Sequence, residues 1–193
     1  MTIPVHASSA ASPLMLLVPG ADDRASRQWA ADWQHAFPDS ALVDLGHWQK
    51  PHRNNWVNRL NLDIARAGRP VVLVAQGLAC VVVSWWAAYE QPEAGGLVRG
   101  ALLIDPPDVD RPGTDAGLAA LTSCSRAPLP FPACMLVTNT RGSPVLRTLW
   151  QLARDWDCAF DTVATASGQA LTAPGPVVRL GQHLLSGMLN AGR

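Results

Sequence analysis

The sequence predicts a single-domain α/β fold: a three-layer sandwich of flavodoxin-like size, with a mostly parallel sheet of about six strands and helices on both faces. Three observations carry this expectation. Apolar runs of strand length alternate with stretches of helical periodicity. The runs are apolar at successive positions, as strands covered on both faces must be. No linker or internal repeat divides the 193 residues, and with 48% hydrophobic residues the chain can bury one sizeable core.

Residues 1–13 are small and polar and read as a flexible leader, which leaves residues 14–193 as the domain. Leu14–Val18 is a continuous apolar run ending in Pro19-Gly20, a buried strand feeding a turn. From Arg24 to Phe37 the residues Trp29, Trp33 and Phe37 recur every four positions, which is one face of a helix. Ala41–Leu45 reads as a short second strand. Asn54–Ala67 carries Trp56, Leu60 and Ile64 at helical spacing, and Gly68-Arg69-Pro70 stops that helix. Val71–Ala75 is the most strongly apolar strand, followed almost at once by a helix from Leu78 to Tyr89. Gly100–Ile104, Ala133–Val137 and Ala159–Val163 are three further strands, and the segments Val145–Trp156 and Val177–Leu189 are helical. Asp105 to Pro132, rich in Pro, Asp and Ser, is a long excursion.

Charge excludes some partners. Fifteen basic residues, of which only Lys50 is a lysine, balance fifteen acidic ones, so no net field draws the chain to nucleic acid or to an anionic membrane. No apolar run has the length of a membrane span, and the N-terminus lacks a basic region ahead of an apolar one, so a cytoplasmic protein is expected. Cys80, Cys124, Cys134 and Cys158 lie far apart with no C-x-x-C pair, which favours reduced core thiols over a disulfide framework or zinc site. The eight tryptophans read mostly as core and rim packing.

In an α/β sheet, chemistry belongs at the carboxyl ends of the strands. The sharpest turn there is Val72-Leu73-Val74-Ala75-Gln76-Gly77-Leu78-Ala79-Cys80. A two-residue crossing from buried strand to helix is the geometry of a nucleophile elbow, in which G-x-S-x-G sets a serine on a strained turn. Ala75 and Ala79 supply the small flanks, but the central residue is Gly77. Here the chain resembles the small serine hydrolases of the α/β-hydrolase fold typified by retinoblastoma-binding protein 9 and bacterial YdeN-like proteins. Their V-L-V-A-H-S-L-G-C stands beside V-L-V-A-Q-G-L-A-C in this sequence. The likeness extends to Val18-Pro19-Gly20 with Trp29 and Trp33, where Gln28 replaces a His. It continues through His47-Trp48-Gln49-Lys50-Pro51 with Trp56, Ala101–Val109, and Leu129-Pro130-Phe131-Pro132.

The resemblance implies an α/β-hydrolase fold over roughly Leu14 to Leu185, and it places the family's Ser, Asp and His on Gly77, Gly142 and Gln169. The residue count agrees: no histidine stands between His52 and His183, and no carboxylate between Asp115 and Asp155. A Ser-His-Asp triad in the fold's chain order therefore lacks its parts. His183 lies among Leu180, Leu184 and Leu185 and reads as a helix residue. Cys80 in the first helical turn reads as core, and Ser143 before Pro144, at a strand end, as ordinary turn chemistry. Asp105, Asp108 and Asp110 read as solvated loop carboxylates rather than as ligands for a hard cation. Asp22 and Asp23 fall where the family's oxyanion-side loop runs, and their charge disfavours acyl transfer.

The expectation is a catalytically inactive hydrolase fold, a pseudoenzyme acting as a protein- or small-ligand-binding module, with no cofactor and no metal. Its partner would be an unidentified protein or a small acyl-type ligand, with the chain a monomer or small homo-oligomer. The candidate pocket comprises Gly20, Ala21, Asp22, Gln76, Gly77, Leu78, Asp105 and Ser143. The alternatives are an active serine or thiol hydrolase using Ser143 or Cys80, and a structural subunit of a complex.

Overall fold

The computed structural model describes residues 12–46, 48, 52–110, 119, 121, 124–138 and 142–163. The expected C-terminal helix Val177–Leu189, together with Gln169, His183 and all but the last two residues of the leader, lies outside them. Six strands form one all-parallel sheet: β1 Leu14–Val18, β2 Ser40–Leu42, β3 Val71–Gln76, β4 Val98–Ile104, β5 Ala133–Thr138 and β6 Ala159–Val163. Their spatial order is β2-β1-β3-β4-β5-β6. Four helices alternate with them among the described residues: α1 Arg24–Ala36, α2 Arg53–Arg66, α3 Ala79–Glu90 and α4 Ser143–Asp155.

Strand periodicity divides the interior into two cores. Leu16, Leu73, Ala75, Leu103 and Met135 point to the face covered by α2, α3 and α4, where Trp56, Leu60, Val82, Trp86 and Leu152 are buried against them. Leu17, Val72, Val74, Leu102 and Leu136 point to the opposite face, where Trp29 and Trp33 of α1 are fully buried. Each helix has a local reason to start and stop. Asp23 caps α1 by accepting the Ser26 N–H at 2.7 Å, and the helix ends before Phe37-Pro38. Helix α3 is apolar all round because sheet and neighbouring elements enclose it, and it ends at Gln91 in the left-handed region (φ 43°), with Pro92 next.

The boundaries differ from expectation by two residues or more in three places. Strand β2 ends at Leu42 rather than Leu45: Val43 N–H still donates to the Leu17 carbonyl at 2.8 Å, but the chain then turns as Asp44 Oδ1 accepts the Gly46 N–H at 2.8 Å. Strand β4 starts at Val98, two residues early, with a register shift that leaves Arg99 exposed. Helix α4 starts at Ser143 because Pro144, in the first turn, has no N–H to leave unsatisfied.

The end of the excursion is tied down on α4. Trp156 Nε1–H donates to the Ser125 carbonyl at 2.6 Å and Leu129 N–H to the Trp156 carbonyl at 3.0 Å. Arg126 pairs with both Asp110 and Asp155.

Candidate functional site at the ends of β1 and β3

Strand β1 sits inside the sheet, with β2 on one side and β3 on the other. The crossover through α1 leads one way and the one through α2 leads back, so the chain's direction switches between β1 and β3. That switch point opens a crevice at their carboxyl ends. Pro19-Gly20 leaves β1 there, and Gln76-Gly77 leaves β3.

The β3–α3 turn is tight. Gln76 is the last residue of β3, Gly77 adopts φ 56°, and Leu78 is already in the right-handed helical region. Gly77 N–H donates to the Ile104 carbonyl at 2.8 Å, which ties the turn to the end of β4, and Cys80 N–H donates back to the Gly77 carbonyl at 3.1 Å. Space above the turn is open: a Cβ on Gly77 would meet only the Gly20 Cα, at 3.8 Å. Gly77 is partly exposed, so its open side reaches solvent.

The other candidate residues have local duties. Asp105, at the end of β4 with φ 47°, donates its N–H to the Leu136 carbonyl at 2.9 Å. Its Oδ1 accepts from Thr138 N–H at 2.8 Å and Thr138 Oγ1 at 3.1 Å, so its carboxylate binds the end of β5. Asp108 accepts the Asp110 N–H at 3.3 Å, and Asp110 pairs with Arg126. Among the described residues no group of three or more His, Cys, Asp or Glu has the arrangement of a metal site. Asp22 pairs with Arg27 at 2.7 Å and Asp23 is the α1 cap, so the two carboxylates are partly neutralised rather than a bare pair facing the crevice. Gly142 is the N-cap of α4, and Ser143 is the helix's exposed first residue rather than the end of a strand.

Cys80 is wholly buried, with its thiol against the Ala75 and Ile104 carbonyls at 3.4 and 3.6 Å. Burial pushes this thiol far above its ordinary pKa, and the neighbouring charge of Asp105 adds to the rise. It is held in the neutral, weakly nucleophilic form.

A second opening lies on the β2 side of β1. This cleft has a volume of about 660 Å³, and its lining includes Ala21 and Asp22 but neither Gln76 nor Gly77. Arg27, Leu42, Arg59 and Trp48 also line it. Of these only Trp48 carries a signal in the sequence, through the W-x-x-P stretch. Arg59 sits on a helix whose polar face reads simply as solvated.

The family model for serine hydrolases matches residues 15–171. No curated protein matches the sequence. Among solved structures, a YdeN-like hydrolase from Pectobacterium atrosepticum has a TM-score of 0.68 at 20% identity, covering 91% of this chain and 92% of that one. The ydeN gene product of B. subtilis has a TM-score of 0.65 at 13% identity, covering 91% of this chain and 100% of that one. An α/β hydrolase from Sphaerobacter thermophilus has a TM-score of 0.64 at 10% identity, covering 90% and 93%. Identities this low carry the fold alone, a single-domain α/β-hydrolase fold. The family match runs from within β1 to beyond β6, and on that ground the chain belongs to the serine hydrolase family.

Proposed function

We propose that this member of the serine hydrolase family does not perform serine-dependent acyl transfer and acts as a binding module, for a protein partner or a small acyl-type ligand. The observation that carries the reading is Gly77 at the centre of the β3–α3 turn with φ 56°. The turn has the shape in which the fold presents a nucleophile, and the residue at its apex has no side chain. The neighbouring groups support the same reading. Asp105 is bonded to Thr138, Cys80 is buried and held neutral, and Ser143 is an exposed helix-start residue. Covalent catalysis needs a nucleophile within reach of a base that a third group orients, and the turn offers no nucleophile. The resemblance puts the acid on Gly142 and the base on Gln169.

Esterase assays with p-nitrophenyl acetate and butyrate, beside labelling by a fluorophosphonate, test the reading. Turnover equal to that of heat-unfolded protein and no label are expected. A burst of nitrophenol abolished by Cys80→Ala or Ser143→Ala would overturn it in favour of an unconventional nucleophile. Gly77→Ser alone should also stay inactive, because a serine without a base is a poor nucleophile near neutral pH.

A further inference from the structure

We propose that the cleft on the β2 side of β1 binds a monocarboxylate carried on an apolar body, a fatty or aryl carboxylic acid, with Arg59 as the anion receptor. The two arginines in this cleft differ. Arg27 is closed on Asp22 at 2.7 Å. Arg59 makes one long hydrogen bond, from Nη1 to the Asp44 carbonyl at 3.5 Å, and the Asp44 carboxylate stays 4.0 Å away. Asp44 divides its carboxylate: Oδ1 takes the Gly46 N–H at 2.8 Å, and Oδ2 reaches Arg59 only at the outer limit of an ion pair. A guanidinium carries five N–H donors in a rigid fork that matches a carboxylate, and among the described residues this one's only hydrogen bond is to the Asp44 carbonyl.

The fork also lies against the backbone. Gly46 has φ 81°, and a Cβ there would stand 3.0 Å from Arg59 Cζ and Nε, so the guanidinium lies directly on the glycine backbone. Beside it the cleft turns apolar. Leu42, on the edge strand, is 49% exposed, and the half-buried Trp48 leans on Trp56 with ring centroids 4.5 Å apart. A cation next to an exposed leucine and an indole suits an amphiphile: the charge goes to Arg59 and the carbon body onto Leu42 and Trp48.

Charge selects the head group. Among the described residues the charges lining the cleft are Arg27, Arg59, Asp22 and Asp44, which cancel formally. A dianionic phosphate would face two carboxylates, a neutral alcohol would leave the fork unmatched, and a single carboxylate satisfies Arg59 at least electrostatic cost. The site is separate from the Gly77 turn, so the proposal stands whether or not that turn is inert.

Calorimetric titration of the full chain with octanoate, octanol and octyl phosphate tests this. Octanoate should bind, with octanol and octyl phosphate at least about tenfold weaker, the size expected from losing one charged hydrogen-bonded contact. Arg59→Gln should weaken octanoate by a similar factor. Leu42→Ser, at an exposed position whose change leaves the core intact, should weaken it independently. Octanol or octyl phosphate binding as tightly as octanoate would overturn the proposal, as would the absence of octanoate binding at millimolar concentration. Unchanged octanoate affinity in both variants would put the ligand elsewhere, overturning this site while leaving a binding role in place.

Discussion

Gly20 and Gly77 face each other across the crevice between β1 and β3, and the contact between them is asymmetric. A Cβ on Gly77 would lie 3.8 Å from the Gly20 Cα, an ordinary van der Waals distance. A Cβ on Gly20 would overlap the Gln76 carbonyl oxygen and stand 3.1 Å from the Gly77 Cα. Space therefore constrains Gly20, whereas backbone conformation constrains Gly77. The fold keeps room above the turn and closes it below.

Gly77→Ala should consequently destabilise the protein through strain alone. A residue with a β-carbon in the left-handed region costs about 1–2 kcal/mol, against which alanine recovers some chain entropy. A net loss of about 1 kcal/mol lowers the melting temperature of a domain this size by about 2–4 °C. Gly77→Ser should behave alike, because the cost lies in the Cβ. A melting temperature that is unchanged or raised in Gly77→Ala would contradict the φ of 56°.

Gly20→Ala should be worse. The atoms it meets are backbone atoms at the end of a central strand and cannot swing aside as a side chain does. Overpacking of this kind costs about 1–3 kcal/mol. Thermal unfolding of the two alanine variants side by side checks the order, and a Gly20→Ala protein more stable than Gly77→Ala would refute it.

At Gly142 the opposite sign is expected. This residue caps α4 with extended backbone (φ −62°, ψ 152°) and makes no side-chain cap bond, and a Cβ there would meet Pro144 Cδ at an unstrained 3.7 Å. Gly142→Asp supplies an acceptor for the Val145 N–H and a negative charge at the helix's positive end. These contribute a few tenths of a kcal/mol and about 0.3–1 kcal/mol respectively. A higher melting temperature that declines toward wild type with added salt is the expected result, and a lower one at every ionic strength would count against it.

How much of this could be read beforehand depends on whether local or distant residues decide it. The faces Trp29-Trp33 and Trp56-Leu60-Ile64 are buried as their spacing implies, because helical periodicity is a local property. Apolar pattern reports burial rather than pairing, so Val43 and Leu45 read as strand although the paired strand ends at Leu42 and the chain turns at Asp44. Strand β6 was legible as a strand, but Asp161 and Thr162 are exposed at the sheet edge instead of covered. The Gly77 turn was visible because a strand end, two small flanks and a helix start are consecutive in sequence. The Arg59 cleft was not, since it exists only once α2 lays Arg59 on Gly46, thirteen residues away in sequence.

The Arg126 clamp should give stability an acid-sensitive component. Arg126 donates to Asp155 Oδ2 at 2.6 Å and holds that carboxyl below its usual range, with Gln151 assisting. A depressed folded-state pKa stabilises the protein above the unfolded value, near 4 for Asp, and that contribution disappears as pH falls through the folded value. Arg126→Gln should lower the urea midpoint modestly at pH 7, because the pair is partly exposed, and the gap from wild type should narrow at pH 3. A gap of constant size at both pH values would show that the loss does not come from the ion pair.

The cysteines provide the remaining prediction, which bears on whether a thiol could serve in place of a serine. All four thiols are free, and burial raises the pKa of each: Cys134 to about 11, Cys158 to about 12, and Cys80 further still. A raised thiol pKa means a smaller thiolate fraction at any working pH, and the thiolate is the reactive form. Access separates them further, since Cys80 is fully enclosed between β3, β4 and α3 whereas Cys158 is partly exposed between α4 and β6. Alkylation by iodoacetamide at pH 8, located by peptide mass spectrometry, should reach Cys158 first. Cys80 should be modified only at the rate of global unfolding, and denaturant should erase the difference between the two. Catalytic thiols show the reverse behaviour: a depressed pKa, partial exposure and early modification. Native-state labelling of Cys80 ahead of Cys158 would therefore require an activated thiolate beside the Gly77 turn, and would restore the case for a thiol hydrolase.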